Sequence, residues 1–122
     1  MSARTKESIL EQLVAAIDDA VEYLNVAKDD LLADKMRLDP VVRKLEVIGE
    51  AAKGLRDLSA QDAELAADLA PVDTAWKAAA GMRDRLIHKY WAVDVEIVWS
   101  TVKNDLPTLR AAALAVRFVH RP

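Results

Sequence analysis

The chain has 122 residues, with 17 lysines and arginines against 20 aspartates and glutamates, a net charge of -3 and no cysteine. Its length suits a single domain covering residues 1–122, the missing cysteines exclude disulfides and thiolate metal sites, and the acidic balance argues against a protein that coats nucleic acid through bulk charge. Charges interrupt every apolar run and the amino terminus does not resemble a signal peptide, so we expect a cytoplasmic protein without a membrane span.

The first two predicted elements are long helices. Glycine and proline are scarce, with 3 and 4 residues, so helices should dominate and strands should be absent. Apolar residues at steps of three and four predict an amphipathic helix from about Lys6 to Lys28. Asp39 and Pro40 then fit an N-cap and a first helical position, so a second helix is predicted from Pro40 to near Leu58.

A short helix is predicted next. Ser59 is a suitable cap for it, and Asp62 and Glu64 fit its first turn, where carboxylates are favoured by the helix dipole. Ala70 and Pro71 should end this helix, because proline cannot continue the backbone hydrogen bonding.

Two further main helices complete the predicted fold. Asp73 or Thr74 can cap the third, which should loosen only near Tyr90–Val93. Asp94 is the expected N-cap of the fourth, and Pro107 inside its apolar pattern predicts a kink or break. The sequence therefore predicts an all-α fold, an antiparallel bundle of four main helices plus a short one.

Chemically reactive side chains cluster in residues 83–90, which contain Arg83, His88 and Tyr90. One other histidine exists in the chain, at position 120, and bases outnumber acids by four to one over residues 77–90. Arginine offers a fork of donors that fits phosphate oxygens, and histidine exchanges protons near neutral pH. Together they could cleave a phosphodiester with no metal and no cofactor, although the charges alone favour a solvated helix face.

Helix geometry limits how Arg83 and His88 cooperate. Five residues along a regular helix place the two side chains roughly 140° apart. Either the helix unwinds at His88, or the site is assembled across a symmetric interface from two chains.

Simpler roles for the same residues are also open. Arg83 could form a surface ion pair with Glu46 or Glu50 on a neighbouring helix, and Tyr90 could be an amphipathic filler at a helix end. Glu46 and Glu50 lie one turn apart, as metal-binding carboxylates do, but the paired Glu-x-x-His motifs of di-iron bundles are missing, so we expect no metal site.

The Arg-x4-His-x-Tyr spacing resembles the signature of HEPN domains, specifically the HepT-like toxins of toxin-antitoxin pairs. Residues Val42–Lys53, Asp94–Trp99 and Asp105–Pro107 are similar to further elements of the same family, in the same order. These matches cover nearly the whole chain and are more specific than the Arg-x4-His spacing alone.

The resemblance implies a homodimer whose paired motifs line a cleft and cut RNA without a metal, leaving a cyclic phosphate and a free 5′-hydroxyl. It makes His88 the general base or acid and Arg83 the group that stabilises phosphate charge. It also implies that Tyr90 is adenylylated by a partner nucleotidyltransferase (MNT) antitoxin, which would block RNA. Asp84 and Lys89 depart from the asparagine and glycine that many relatives have at these positions.

Two other functions compete with the ribonuclease. The bundle could be a binding module that docks a nucleotidyltransferase or presents substrate to it. It could also be a purely structural dimerisation bundle, which would explain the apolar periodicity but not the clustered bases.

Overall fold

The computed structural model describes residues 5–24, 35–81, 87–89, 92–93 and 95–120, and in these ranges the chain forms a helical bundle. The elements in chain order are α1 (Lys6–Tyr23), α2 (Lys35–Ser59), α3 (Ala63–Leu69), a 3-10 turn (Ala70–Val72), α4 (Asp73–Ala80), β1 (Ile87–Lys89), β2 (Ala92–Val93), α5 (Val95–Ser100), a π-helical segment (Thr101–Asp105) and α6 (Leu106–His120). The predicted all-α fold class is confirmed, with β1 and β2 as a small local addition.

Helix α1 begins where the sequence predicted, because its first turn is closed by a capping box. The Ser8 amide donates to the Thr5 hydroxyl at 3.0 Å, and the Thr5 amide donates to the Ser8 hydroxyl at 3.1 Å. Two amides that the helix leaves without intrahelical partners are thereby satisfied. The predicted end at Lys28 lies outside the described residues.

Helix α2 begins earlier than predicted. It starts at Lys35, so Pro40 lies inside the helix and Asp39 is not its N-cap, which corrects the predicted start at Pro40. Proline at this position removes one backbone hydrogen bond. The upstream turn also carries Leu38, which is 8% exposed and joins the core, and this burial helps to offset the missing bond. The helix ends at Ser59, next to the predicted Leu58.

Helix α3 is capped by Asp62 and not by Ser59. The Asp62 carboxylate accepts from the Leu65 amide at 3.0 Å, whereas the Ser59 hydroxyl donates to the Arg56 carbonyl at 2.6 Å. Ser59 is therefore the last residue of α2, and its predicted role as a cap was wrong. The predicted break near Pro71 is confirmed, since a 3-10 turn follows α3 there and leads directly into α4.

The fourth main helix is interrupted near Pro107, as predicted. Residues Thr101–Asp105 form a π-helical segment between α5 and α6, in which the Leu106 amide donates to the Thr101 carbonyl. This widened turn places the interruption just before Pro107, whose ring nitrogen cannot donate. The predicted N-cap Asp94 lies outside the described residues.

The core lies between α1, α2, α4 and α6. Helix α1 packs against both α2 and α6, and α2 also packs against α4. Neighbouring carboxylates on α1 bind two different helices, since Asp19 lies 3.0 Å from the Lys44 ammonium and Asp18 lies 2.7 Å from the Arg110 guanidinium. The hydrogen bond from Lys44 to Asp19 raises the pKa of Lys44, and that from Arg110 to Asp18 raises the pKa of Arg110.

No helix within the described ranges combines the length and apolar character needed to cross a membrane.

Candidate active site

The structure describes the backbone around His88, while Arg83 and Tyr90 lie outside the described residues. Residues Ile87–Lys89 are extended and form β1, which pairs antiparallel with β2. The predicted continuation of the third main helix to Tyr90 is therefore wrong at these three residues. Ile87 is β-branched, and tyrosine, tryptophan and valine follow it in residues 90–93, so this stretch suits a strand better than a helix.

The ladder has an irregularity at the position of His88. Ile87 pairs with Val93 and Lys89 pairs with Ala92, so the register shifts between Ile87 and Lys89. Bulges of this kind bend a strand locally and are common next to active sites, where they redirect a side chain.

The extended backbone at His88 bears on the angle expected between Arg83 and His88. Two side chains five residues apart diverge by roughly 140° only while the helix is regular. Since His88 has left helical geometry, the first of the two predicted solutions, unwinding at the histidine, applies to its backbone. The pairing of Arg83 with Glu46 or Glu50 involves a residue outside the described ranges and stays a prediction.

Helix α4 leads into the reactive segment and is held close to α2. A Cβ atom on Gly49 of α2 would lie 3.0 Å from the Ala79 carbonyl oxygen of α4, so the glycine permits an approach that alanine would obstruct. Trp76 and Ala79 anchor α4 in the core. The Gly81 amide then donates to the Lys77 carbonyl at 3.0 Å and closes the last turn.

Gly49 permits the close packing of α4 on α2, and sequence reasoning missed it. A glycine inside a strongly helical pattern costs about 1 kcal/mol relative to alanine, and this cost is itself a sign of a close packing contact. The sequence does not say which element makes the approach, because Gly49 and Ala79 are distant along the chain.

Glu46 and Glu50, the carboxylates considered as metal ligands, lie one turn apart on α2. Glu46 and Glu50 border a shallow surface pocket together with Gln12, Arg43 and Val47. Within the described part of the chain, no three His, Cys, Asp or Glu side chains come together as a metal site would require.

An all-α bundle that carries an Arg-x4-His-x-Tyr segment between its third and fourth main helices has the architecture of a HEPN domain. The particular family follows from comparison with known proteins: the family model "Ribonuclease HepT-like" matches residues 13–116. The chain belongs to this HepT-like family.

Two relatives illustrate the match. The chain is 37% identical over 109 residues to a protein of Thermococcus cleftensis named "Probable ribonuclease HepT", covering 88% of this chain and 91% of the relative. It is 31% identical over 108 residues to a protein of Caldanaerobacter subterraneus named "Putative RNase", covering 87% and 88% of the two chains. No solved structure gives a significant match.

Proposed function

We propose that this protein is an endoribonuclease toxin of a toxin-antitoxin pair, which cleaves RNA without a metal through Arg83 and His88. The observation that carries the proposal is the HepT-like match over residues 13–116, a range that contains the complete Arg83, His88 and Tyr90 pattern. The names of the relatives, both ribonucleases, agree with this substrate.

The proposed reaction uses the RNA's own 2′-hydroxyl as the nucleophile. His88 takes the proton from this hydroxyl, or in its protonated form donates a proton to the departing 5′-oxygen. The 2′-oxygen attacks phosphorus, the bond from phosphorus to the 5′-oxygen breaks, and the products are a 2′,3′-cyclic phosphate and a free 5′-hydroxyl. Arg83 donates to the phosphate oxygens as negative charge develops on them.

The backbone geometry supports this assignment in one respect. The backbone of His88 is extended and lies at the register shift of a two-stranded ladder, so the 100° steps of a regular helix do not apply to it. A homodimer would bring a second copy of the same segment to the cleft and complete the site across a twofold axis.

Tyr90 is proposed as the regulatory residue. A nucleotidyltransferase antitoxin would transfer an adenylyl group from ATP to the Tyr90 hydroxyl, releasing pyrophosphate. The added phosphate is anionic and bulky and lies two residues from His88, so it would compete with RNA for Arg83 by charge and by volume.

Cleavage is tested with purified protein and single-stranded RNA in the presence of a chelator. Arg83→Ala and His88→Ala should each lower the rate at least about a hundredfold, the scale of a lost acid-base or charge-stabilising group. His120→Ala is the matched control, because it removes the other histidine of the chain and should cut as fast as the wild type. If Arg83→Ala and His88→Ala cut RNA as fast as the wild type, the site is refuted. If the wild type does not cut RNA, the binding-module function is favoured.

Adenylylation is tested by intact-mass spectrometry after incubation with ATP and a nucleotidyltransferase encoded by a neighbouring gene. The mass should rise by one or more adenylyl groups. Tyr90→Phe should abolish the first addition, whereas Tyr23→Phe, which removes the exposed tyrosine of α1, should not. Unchanged labelling of Tyr90→Phe would reject Tyr90 as the target.

A further inference from the structure

A second polar pocket lies beside the helix that leads into the reactive segment. It has a volume of about 440 Å³ and opens where the end of α2, α3, the 3-10 turn and α4 meet. Arg56 and Ser59 border it from α2, and Asp73, Trp76 and Lys77 border it from α4. This volume falls within the range of small-ligand sites in proteins.

Two cations of the pocket can bind an anion at little cost. Arg56 is exposed and makes no ion pair with any residue in the described ranges. The Lys77 ammonium lies 2.9 Å from the Asp73 carboxylate, but both side chains are more than half exposed, at 61% and 53%. Such surface pairs are weak, so Lys77 can exchange this carboxylate for a phosphate oxygen.

The hydroxyl of Ser59 adds a different preference. It donates its proton to the Arg56 carbonyl at 2.6 Å, so its oxygen faces other partners as an acceptor. A ribose 2′-hydroxyl is a donor that DNA lacks. Cations for phosphate and an acceptor for a 2′-hydroxyl therefore lie on the rim of one pocket.

The pocket lies against the core, on the helix that precedes residues 83–90. Its lining includes Trp76 and Leu69, which are buried and join the pocket to the core. Lys77 lies one helical turn before Gly81, to which its carbonyl is hydrogen-bonded at 3.0 Å.

We propose that the pocket is a ribose-phosphate subsite, in which Arg56 and Lys77 bind a backbone phosphate of RNA and Ser59 accepts from a 2′-hydroxyl. The proposal rests on the proposed function in that its ligand is the RNA substrate. The subsite binds RNA at a position away from the cleaved bond. It adds a preference for RNA over DNA at the binding step, whereas the 2′-hydroxyl nucleophile discriminates only at the cleavage step.

The test measures binding and not cutting. Fluorescence anisotropy gives the affinity of a His88→Ala background for a labelled single-stranded RNA and for the DNA of the same sequence, over a range of salt concentrations. Arg56→Gln and Lys77→Gln should each lower the slope of log affinity against log salt by about 0.7, the value of one single-strand phosphate contact. Lys53→Gln is the matched control, because Lys53 is exposed on α2 and does not border the pocket, and its slope should stay unchanged.

The hydroxyl is tested separately. Ser59→Ala should weaken RNA binding about two- to tenfold and leave DNA binding unchanged, as expected for one hydrogen bond. Ser100→Ala on α5 is the control for removal of an exposed hydroxyl. Far-UV circular dichroism checks that each variant is folded, and Lys77→Arg should restore the slope that Lys77→Gln loses.

Each outcome separates this subsite from the ribonuclease itself. If the wild type cuts RNA but Arg56→Gln and Lys77→Gln bind like Lys53→Gln, the subsite is wrong and the ribonuclease stands. If binding depends on the pocket but nothing is cut, the subsite stands and the ribonuclease fails. Equal loss of RNA and DNA binding in Ser59→Ala, or no binding of RNA by the background protein, would overturn the ribose-phosphate subsite.

Discussion

Gly49 sets the distance between α2 and α4, so replacing it with alanine should destabilise the protein although alanine is the better helix former. The new methyl group would lie 3.0 Å from the Ala79 carbonyl oxygen. Favourable contacts between heavy atoms lie at about 3.5–4.0 Å, so one of the two helices must shift by several tenths of an ångström. Both helices are fixed by buried side chains, so we expect the shift to be resisted.

The two opposing terms can be compared. Overpacking a well-packed interior costs about 1–3 kcal/mol, while replacing a mid-helix glycine with alanine gains about 1 kcal/mol. The net expectation for Gly49→Ala is a loss of about 1 kcal/mol in the free energy of unfolding. For a chain of this size that corresponds to a drop in Tm of roughly 3–6 °C.

Gly81→Ala is the matched control. The methyl group there would lie 3.5 Å from the Lys77 carbonyl oxygen, an ordinary contact, and Gly81 does not have a positive φ. Gly81→Ala should raise the free energy of unfolding by about 0.4–1 kcal/mol, chiefly because alanine lowers the conformational entropy of the unfolded chain. Urea denaturation, monitored by circular dichroism, gives the free energy of unfolding of both variants. The comparison holds if the dependence of this free energy on urea concentration has the same slope in both. A Gly49→Ala protein at least as stable as Gly81→Ala would refute the close-approach argument.

Two further predictions concern the cap of α3 and the core. Asp62→Ala should lower the free energy of unfolding by about 1 kcal/mol, because it removes the acceptor for the Leu65 amide. Asp62→Asn keeps a capping oxygen although it loses the 3.7 Å ion pair with Lys6, so it should cost less, and equal losses of the two variants in urea denaturation would contradict the cap. Trp76→Ala should lower the free energy of unfolding by roughly 3–5 kcal/mol, and Trp76→Phe by less than half of that. The reason is that the buried indole N–H has no hydrogen-bond partner in the described structure, so its removal leaves no polar group unpaired. A Tm of Trp76→Phe as low as that of Trp76→Ala would contradict this.

Elements that depend on local chemistry were predictable from the sequence. The start of α1 and the interruption at Pro107 each follow from residues whose preference is decided by their immediate neighbours. The apolar stripes predicted for the first two helices are likewise buried, among them Leu10 and Leu13 in α1 and Leu45 and Ile48 in α2.

Features decided by tertiary contacts were not predictable. Asp39 and Pro40 have the local signature of a helix start, but burial of Leu38 favours one more turn upstream. At the candidate site, the reactive residues could be named from the sequence, and Arg83, Tyr90 and the side chain of His88 remain predictions. The extended backbone at His88 could not be derived from helical periodicity, because that periodicity presumes the helix continues.

The π-helical segment Thr101–Asp105 corrects the angular phase of the last main helix. Val98, Val102 and Leu106 are all buried, yet two steps of four residues on a regular helix would drift by about 80° in total. The widened turn absorbs this drift and keeps the apolar sides of α5 and α6 directed at one core. Deleting a single residue there would rotate α6 by about 100° about its axis and carry Arg110 away from Asp18, so the length of this short segment determines which side of the final helix meets the bundle.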